Sequence, residues 1–430
     1  MQINTEILIL GAGISGLAAG YKCEERNKEY LILEQNPFWG GLCANFTIDS
    51  FRFDRFVHLS FTENPIVKNI FDKVPHHSYK PNPENYYHGI WLKHPAQNNL
   101  FPLSDDVKRE IISDMRNRRN SLEIETVENY EQWLRIQFGN YFAENFSMVY
   151  TKKYWGVDAR ELGTGWIGNR IYQPTLEEVE AGMNSSDTPI TYYAKEMRYP
   201  AEGGFSSFLI PIVEESHIKL DEKVVWIDTD HSIVQTTENE YHYKHLVSSI
   251  PLPEYPQIMQ MDRQVEQAVK NLSWTSAYLV SLGLKESALK KDNIWDYIYD
   301  SDIYPARIYL PGKKSKDNCP KDMESIQAEI YFKMNQCPDS SKEEILHDTI
   351  KQLDSCQIID GDGVVVSDIR YEKYANVIFD HQIELNREKI LKYLFRKNII
   401  PIGRFGKWDY YWTDQSFMSG YTFDEGLNLK

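Results

Sequence analysis

Three glycines and one acid near the start of the chain have the spacing of a dinucleotide-phosphate site. Gly11, Gly13 and Gly16 follow an apolar stretch, and Glu34 ends the next one. In such a loop the first glycine permits a tight turn, the second lets the backbone approach a pyrophosphate, and the third lets a helix pack on a strand. The carboxylate accepts ribose hydroxyls. We therefore predict a bound dinucleotide rather than an ordinary glycine-rich turn.

The elements that must position these residues are a strand, a helix and a second strand. Ile7–Leu10 is apolar, the glycines open a helix, and a second apolar strand ends at Glu34, which together predict a βαβ unit. Farther along, apolar periodicity predicts other helices and a strand-rich region. We expect helices at Asp105–Asn120, Asn129–Met148, Phe205–Glu215 and Glu254–Asn271, and strands at Lys223–Thr229, Ser232–Thr237 and Tyr241–Ile250.

Composition narrows the classes of partner. The chain has 430 residues, 42% of them hydrophobic, a net charge of −16 and five cysteines without a CxxC pair. The negative charge argues against nonspecific binding to nucleic acid or anionic membranes. The odd cysteine count without metal-ligand spacing predicts reduced thiols, a cytoplasmic protein and no metal site. Apolar residues 7–19 are not expected to be a signal peptide, since Glu6 stands where a basic residue belongs, and no stretch is long enough for a membrane span.

A second glycine pair indicates which dinucleotide binds. Gly40, Gly41 and Leu42 follow the second strand and resemble the glycine-glycine continuation of amine-oxidase-type FAD proteins. The longer phosphate and ribityl path of a flavin implies this second close backbone approach, so FAD is favoured over NAD. Val224 and the hairpin after it resemble the segment of FAD oxidoreductases that lays a peptide against adenine, although a surface meander is the alternative.

The C-terminal segment carries the other strong signal for a flavin. A strand ending at Gly403-Arg404 leads through an aromatic loop to a helix expected to start near Asp414-Gln415-Ser416. Helix N–H groups aimed at a flavin edge would stabilise anionic reduced flavin. No covalent-attachment motif is present, so the FAD is expected to be noncovalent. The expected cofactor contacts are Gly11, Gly13, Ile14, Ser15, Gly16, Glu34, Gly40, Gly41, Leu42, His58, Val224, Gly403, Arg404, Asp414, Gln415 and Ser416.

Taken together with the N-terminus, this tail resembles UDP-galactopyranose mutase, especially the eukaryotic-type branch. Four further stretches match the family in order: HPAQNNL at 94–100, KYWG at 153–156, WIGNR at 166–170, and the region from Tyr297 through Arg307 to SIQAEIYF. The resemblance implies that Gln97 reads uracil, and that Arg170 and Arg307 clamp a diphosphate. It gives His58 a place over the flavin face, and His58, Arg170 and Arg307 catalytic roles. The substrate contacts that it implies are Gln97, Trp155, Arg170, Tyr297, Arg307, Tyr374 and Tyr410.

The residues also depart from the family pattern. Where the mutases have two glycines before the flavin-facing histidine, this chain has Phe56 and Val57. The bulky pair predicts a loop fixed in one conformation or a different use of the flavin face. His94, Thr151 and Lys314 also replace residues expected from the family.

Three functions are therefore compatible with the sequence. The first is an FAD-dependent nucleotide-sugar mutase, which interconverts pyranose and furanose through a covalent bond to N5 of reduced flavin, in the setting of surface-polysaccharide biosynthesis. The second is an FAD oxidase or dehydrogenase of the amine-oxidase and protoporphyrinogen-oxidase type. The third is a non-catalytic FAD protein. Gln97 with the arginine pair favours the first, because an amine oxidase does not need a uracil reader and a diphosphate clamp.

The expected fold class is α/β, with a Rossmann-type FAD-binding domain and an interwoven substrate domain of mixed β-sheet and helices. The chain is expected to enter the FAD-binding domain three times, at residues 1–72, 201–255 and 381–430. Residues 73–200 would form a mainly helical part of the substrate domain, and residues 256–380 its sheet. The sequence does not indicate an oligomeric state.

Overall fold

The computed structural model describes residues 2–118, 127–189, 191–192 and 194–425. Its strands are β1 (Gln2–Leu10), β2 (Tyr30–Leu33), β3 (Asn45–Ile48), β4 (Phe51–Asp54), β5 (His76–Tyr79), β6 (Glu84–Tyr87), β7 (Ile90–Lys93), β8 (Met197–Pro200), β9 (Ile218–Lys219), β10 (Val224–Asp228), β11 (Ile233–Thr236), β12 (Glu240–Ser248), β13 (Trp274–Lys285), β14 (Trp295–Ile298), β15 (Arg307–Tyr309), β16 (Met323–Lys333), β17 (Val364–Val377) and β18 (Ile399–Pro401). Its α-helices are α1 (Ile14–Glu25), α2 (Pro65–Phe71), α3 (Asp105–Arg118), α4 (Tyr130–Phe142), α5 (Met148–Trp155), α6 (Leu176–Asn184), α7 (Tyr255–Ile258), α8 (Arg263–Lys270), α9 (Pro311–Lys314), α10 (Lys342–Ser355), α11 (Ile383–Arg396), α12 (Gly403–Gly406) and α13 (Thr413–Tyr421).

The first sheet is built around β1, as the apolar N-terminus predicts. Its strand order is β10-β11-β12-β1-β2-β9, with β18 pairing on β12. β1 is parallel to both β12 and β2, and Ile7–Leu10 are fully buried. A strand buried on both faces must be continuously apolar, because helices cover a parallel sheet on each side. The predicted βαβ unit and the α/β fold class are confirmed.

The second sheet is mostly antiparallel and has the strand order β17-β13-β16-β15-β14-β6-β7. β13 is its long central strand, pairing with β16 on one side and β17 on the other. Residues of β16 alternate between an apolar face, with Ile326, Ala328 and Ile330, and a polar face, with Gln327 and Glu329. Both faces are buried, since Gln327 and Glu329 are as inaccessible to solvent as the apolar residues.

Three predicted helices differ from the observed elements. The helix predicted at Glu254–Asn271 is two short helices, α7 and α8, separated at Met259, whose extended backbone turns its side chain into the core. Residues 205–212 form a 3-10 helix, since Pro211 cannot donate the hydrogen bond that an α-helix needs there. The helix predicted at Asn129–Met148 starts correctly at the Asn129 cap but breaks at Gly139, which has a φ of 76°. Asn120, the predicted end of the helix that starts at Asp105, lies outside the described residues.

Two further observations bear on the classes of protein considered above. Among the described helices, none has the length and apolar character needed to cross a membrane. Within the same residues, no cluster of three or more His, Cys, Asp or Glu side chains could hold a metal ion. All five cysteines have free thiols.

Candidate active site

A cavity of about 1130 Å³ is lined both by the glycine loop of the first sheet and by residues of β14, β15, β16 and β17 in the second. Almost every residue predicted for the cofactor or the substrate lines it. Two predicted cofactor residues do not line it, Gly16 and Gln415. Gly16 has a packing role, because a Cβ there would lie 1.9 Å from the carbonyl oxygen of Gly11. The Gln415 side chain accepts a hydrogen bond from the backbone N–H of Trp412 (2.8 Å) and so caps the start of α13.

The glycine loop has the geometry that a pyrophosphate requires. Gly13 precedes α1 without a side-chain cap, so the first N–H groups of the helix have no such partner. A Cβ on Gly13 would meet only the Cα of Gly41, at 3.9 Å, and otherwise open space. Gly13 and Gly40 form a parallel β-bridge, so the two predicted glycine turns lie against each other. These residues fit a dinucleotide with two points of close backbone approach.

Glu34 lies at the end of β2, as predicted. Its carboxylate accepts hydrogen bonds from the backbone N–H of Ala12 (2.9 Å) and of Asn36 (3.0 Å). These bonds fix the side chain at the carboxyl edge of the sheet, beside the cavity. Val224, at the start of β10, also lines the cavity.

The C-terminal segment approaches the glycine loop through two more glycines. Gly403 has a φ of 75°, and a Cβ there would lie 2.3 Å from Ser15 Oγ. A Cβ on Gly420 would lie 1.9 Å from the carbonyl oxygen of Ser15. Because both positions lack a side chain, α12, which begins at Gly403, and α13, which contains Gly420, pack directly on α1. The predicted helix near Asp414 is confirmed, and its first turn lines the cavity with Asp414 and Ser416.

Arg170 lines the cavity within an aromatic group. Its two terminal nitrogens donate to the carbonyl oxygens of Trp166 (3.0 Å) and Tyr410 (2.6 Å), and its guanidinium carbon lies 4.7 Å from the centre of the Tyr410 ring. Trp155, which is buried, packs against both Trp166 and Tyr410. The structure therefore brings three of the predicted substrate residues, Arg170, Trp155 and Tyr410, into one cluster.

Arg307 is ion-paired rather than exposed as an isolated cation. Its Nε donates to the carboxylate of Glu329 (2.6 Å) and one terminal nitrogen donates to the Tyr331 hydroxyl (3.0 Å). Glu329 is fully buried. A guanidinium with this partner is oriented within the cavity wall and keeps its remaining N–H donors for a ligand.

Tyr154, which sequence reasoning did not single out, connects the two arginines. Its hydroxyl lies 3.4 Å from that of Tyr410 and 3.3 Å from Asn376 Oδ1, and the Arg307 guanidinium lies 5.9 Å from its ring centre. Burial raises the pKa of Tyr410 well above its ordinary value, so this phenol stays protonated and can donate. Tyr154 precedes Trp155 in the KYWG stretch, and that adjacency was the only signal for it.

Gln97, the residue that the resemblance assigns to uracil, lines the cavity together with His94 and Tyr297. Gln97 Nε2 donates to the carbonyl oxygen of Tyr172 (2.9 Å). The Tyr297 ring stacks on His94 with 4.7 Å between ring centres. Burial lowers the pKa of His94 to about 3, so this imidazole is neutral near pH 7.

Two residues lie apart from the arginines. Tyr374 lines the cavity, but its hydroxyl donates to Glu254 (2.6 Å) and its ring packs on Trp274 and Phe405. Lys314 is fully buried behind the cavity and pairs with Asp54. The position at which the resemblance expects a tyrosine, Lys314, is therefore not part of the cavity lining.

His58 faces the cavity at the end of β4. Burial lowers its pKa to about 4, so it is a neutral imidazole at physiological pH. Its Nδ1 lies 3.3 Å from the carbonyl oxygen of Phe56, and its ring lies 5.0 Å from that of Phe205.

Arg404, predicted to contact the cofactor, donates to Asn376 Oδ1 (2.8 Å) and lies 4.8 Å from the Tyr410 ring centre.

Comparison with known proteins supports the α/β fold described above. A family model described as an NAD(P)-binding Rossmann-like domain matches residues 9–74. A zebrafish (Danio rerio) protein named inactive all-trans-retinol 13,14-reductase is 41% identical over 51 residues, a match that covers 12% of this chain and 8% of that protein.

Solved structures match over almost the whole chain. Reduced UDP-galactopyranose mutase superposes with a TM-score of 0.93 at 20% identity, covering 99% of this chain and 94% of that one. A putative protoporphyrinogen oxidase from Exiguobacterium sp. 255-15 gives 0.76 at 15% identity, with 99% of each chain covered. Putrescine oxidase bound to putrescine gives 0.66 at 14% identity, with 100% of each covered. The chain therefore has the fold that this mutase and these oxidases share.

Proposed function

We propose that this chain, which has the fold of UDP-galactopyranose mutase, is an FAD-dependent mutase of a nucleotide sugar. One observation carries the proposal: Arg170 and Arg307 line the same cavity as the glycine loop and are joined by the phenols of Tyr410 and Tyr154. Two guanidiniums with two phenols form a site for a diphosphate. The glycine loop would hold the FAD pyrophosphate in the same cavity.

The chemistry divides between the cofactor and the side chains. A bound reduced flavin would supply the nucleophile for the anomeric carbon of the sugar. As the diphosphate leaves with the bonding electron pair, Arg170 and Arg307 would neutralise the charge that develops on it. Tyr410 and Tyr154 would donate hydrogen bonds to its oxygens, and Gln97 would hold the base. The neutral His58 adds no charge to the flavin face.

An FAD-dependent oxidoreductase of the amine-oxidase type is the second candidate. It is favoured by Phe56 and Val57, because a loop held in one conformation suits an enzyme that takes up a hydride without a covalent bond between flavin and substrate. The arginine pair weighs against it.

The binding part of the proposal predicts that UDP binds more tightly than uridine. Arg170→Ala should weaken UDP binding by about 1.5–3 kcal/mol, the range for charge-assisted hydrogen bonds, and leave uridine binding nearly unchanged. Arg170 is the better target, since Arg307→Ala would leave the buried Glu329 without its counter-ion. Titration calorimetry with UDP and uridine measures both, and Arg160→Ala, an exposed arginine beside Asp158, is the control. Equal affinities of the wild-type protein for UDP and uridine would rule out the clamp.

The reaction itself separates the two enzyme classes. A mutase needs its flavin reduced but consumes no reductant per turnover, whereas an oxidase consumes one acceptor for each product. Dithionite-reduced protein, incubated anaerobically with a panel of UDP-hexoses and UDP-N-acetylhexosamines, should form an isomer of unchanged mass over many turnovers. The flavin spectrum should stay that of the reduced form. Bleaching of oxidised flavin by an amine, without isomer formation from any UDP-sugar, would instead assign the oxidoreductase.

A further inference from the structure

The loop 55–58, which joins β4 to the rest of the cavity wall, has a strained backbone. Phe56 has a φ of 65°, in the left-handed region that favours glycine. A side chain as bulky as phenylalanine is found there only when its surroundings hold it. Contacts with neighbouring residues must therefore stabilise this backbone conformation, which glycine, the residue of the mutases at this position, adopts without strain.

Two contacts with β16 hold this loop. The Phe56 ring stacks on Tyr331, with 6.0 Å between centres and 12° between planes. The backbone N–H of Val57 donates to Glu329 Oε1 at 2.8 Å. Because the donor is the peptide immediately after the strained residue, this hydrogen bond fixes the conformation of Phe56 directly.

The same carboxylate orients Arg307. Glu329 Oε1 serves the loop, while Oε2 accepts from Arg307 Nε (2.6 Å) and from the Tyr331 hydroxyl (2.6 Å). Glu329 is fully buried, so it has no water to replace any of these three donors. A buried carboxylate that accepts three hydrogen bonds moves only if its partners move with it.

We propose that Glu329 is a positioning residue that couples the flavin-facing loop 55–58 to Arg307. The part concerning Arg307 rests on the proposed function, in which this arginine takes up a diphosphate. An anion bound to the remaining N–H donors of Arg307 would compete with Glu329 for the charge of the guanidinium. The change at Glu329 would then alter its hydrogen bond to the backbone N–H of Val57. By linkage, the state of the flavin face and the affinity of the anion site then depend on each other.

The first test measures whether a ligand at the arginines is felt at the flavin. FAD-loaded wild-type protein, Glu329→Gln and Glu324→Gln are titrated with UDP and with uridine, following both binding heat and the flavin difference spectrum. Glu324 is the matched control, because it is a buried acid on the same strand that pairs with Lys316 and does not line the cavity.

In wild-type protein and in Glu324→Gln, UDP but not uridine should change the flavin spectrum. In Glu329→Gln the spectral change at saturating UDP should be several-fold smaller, although UDP still binds. An undiminished change in Glu329→Gln would overturn the coupling. If UDP does not bind wild-type protein at all, the proposed function fails instead.

The second test does not depend on UDP. Thermal unfolding of FAD-loaded Phe56→Gly, Glu329→Gln and the double variant forms a double-mutant cycle. Glycine adopts a positive φ without strain, so losing the hold of Glu329 should lower the melting temperature by less in the Phe56→Gly background. Additive shifts would show that Glu329 does not hold the loop, whatever the outcome with UDP.

Discussion

Gly13→Val is expected to yield a folded but colourless protein. A Cβ at this position would meet only the Cα of Gly41, at 3.9 Å, so the fold without cofactor can accommodate the side chain. Gly13 also has a φ of −71°, which valine adopts readily. The added methyl groups would instead occupy the space against which the pyrophosphate must lie. The FAD content of the purified variant, read from its absorbance after denaturation, should fall to a trace of the wild-type value.

The control for this variant separates lost cofactor from lost fold. Gly165→Val, in an exposed turn where a Cβ would meet no atom within 4 Å, should retain full flavin content. Circular dichroism of Gly13→Val should match that of wild-type apoprotein. A yellow Gly13→Val protein with full flavin occupancy would contradict the assignment of the phosphate loop.

Lys314→Met is expected to cost the fold about 3–5 kcal/mol, the range for removing one partner of a buried ion pair. Lys314 is fully buried, and its ammonium group pairs with Asp54 and lies 4.3 Å from the ring centres of Tyr199 and Tyr309. Burial lowers the pKa of Lys314, and the charge of Asp54 opposes that shift. Methionine keeps the length of the side chain but leaves the carboxylate without a counter-ion.

The effect is measured as the free energy of unfolding in urea. Lys316→Met is the matched control, because Lys316 lies two residues away, pairs with Glu324 and has 71% of its side chain exposed. A pair with a solvent-exposed lysine contributes about 1 kcal/mol or less, and Glu324, which is buried, keeps Lys313 as a second partner at 3.5 Å. Similar losses in both variants would mean that the Asp54–Lys314 pair has no special weight in the fold. Asp54 is the last residue of β4 and directly precedes the loop 55–58. A larger loss of unfolding free energy in Lys314→Met would therefore also show how much this ion pair stabilises the start of the loop.

The phosphate loop and the helix α13 could be predicted because their signals are local. Glycine spacing after an apolar strand requires no knowledge of distant residues. Gly13 and Gly40 lie against each other, and Gly403 lies against Ser15 of α1. The break between α7 and α8 could not be predicted in the same way. It depends on the burial of Met259 in a core to which distant segments contribute.

Glu329 and Tyr154 were not predicted, because their roles depend on contacts with residues that are distant in the sequence. The polar face of β16 alternates with an apolar face, a pattern typical of a strand with one side in water. Glu329 is nevertheless fully buried, and one of its hydrogen-bond donors is in the loop after β4, far away in the sequence. Similarly, the strained φ of Phe56 has no local signal. A phenylalanine where related proteins have glycine indicated an altered loop, but not which carboxylate holds it.

The order in which the chain supplies its strands has a consequence for biosynthesis. β1 and β2 precede the other strands of the first sheet, yet β1 is flanked by β12, which pairs in turn with β11 and with β18 (residues 399–401). The contact of Gly420 with Ser15 completes the phosphate-binding end of α1. During translation the apolar β1 therefore lacks its neighbour β12, which is synthesised hundreds of residues later. The phosphate-binding end of α1 is therefore completed only when the segment around Gly420 has been synthesised.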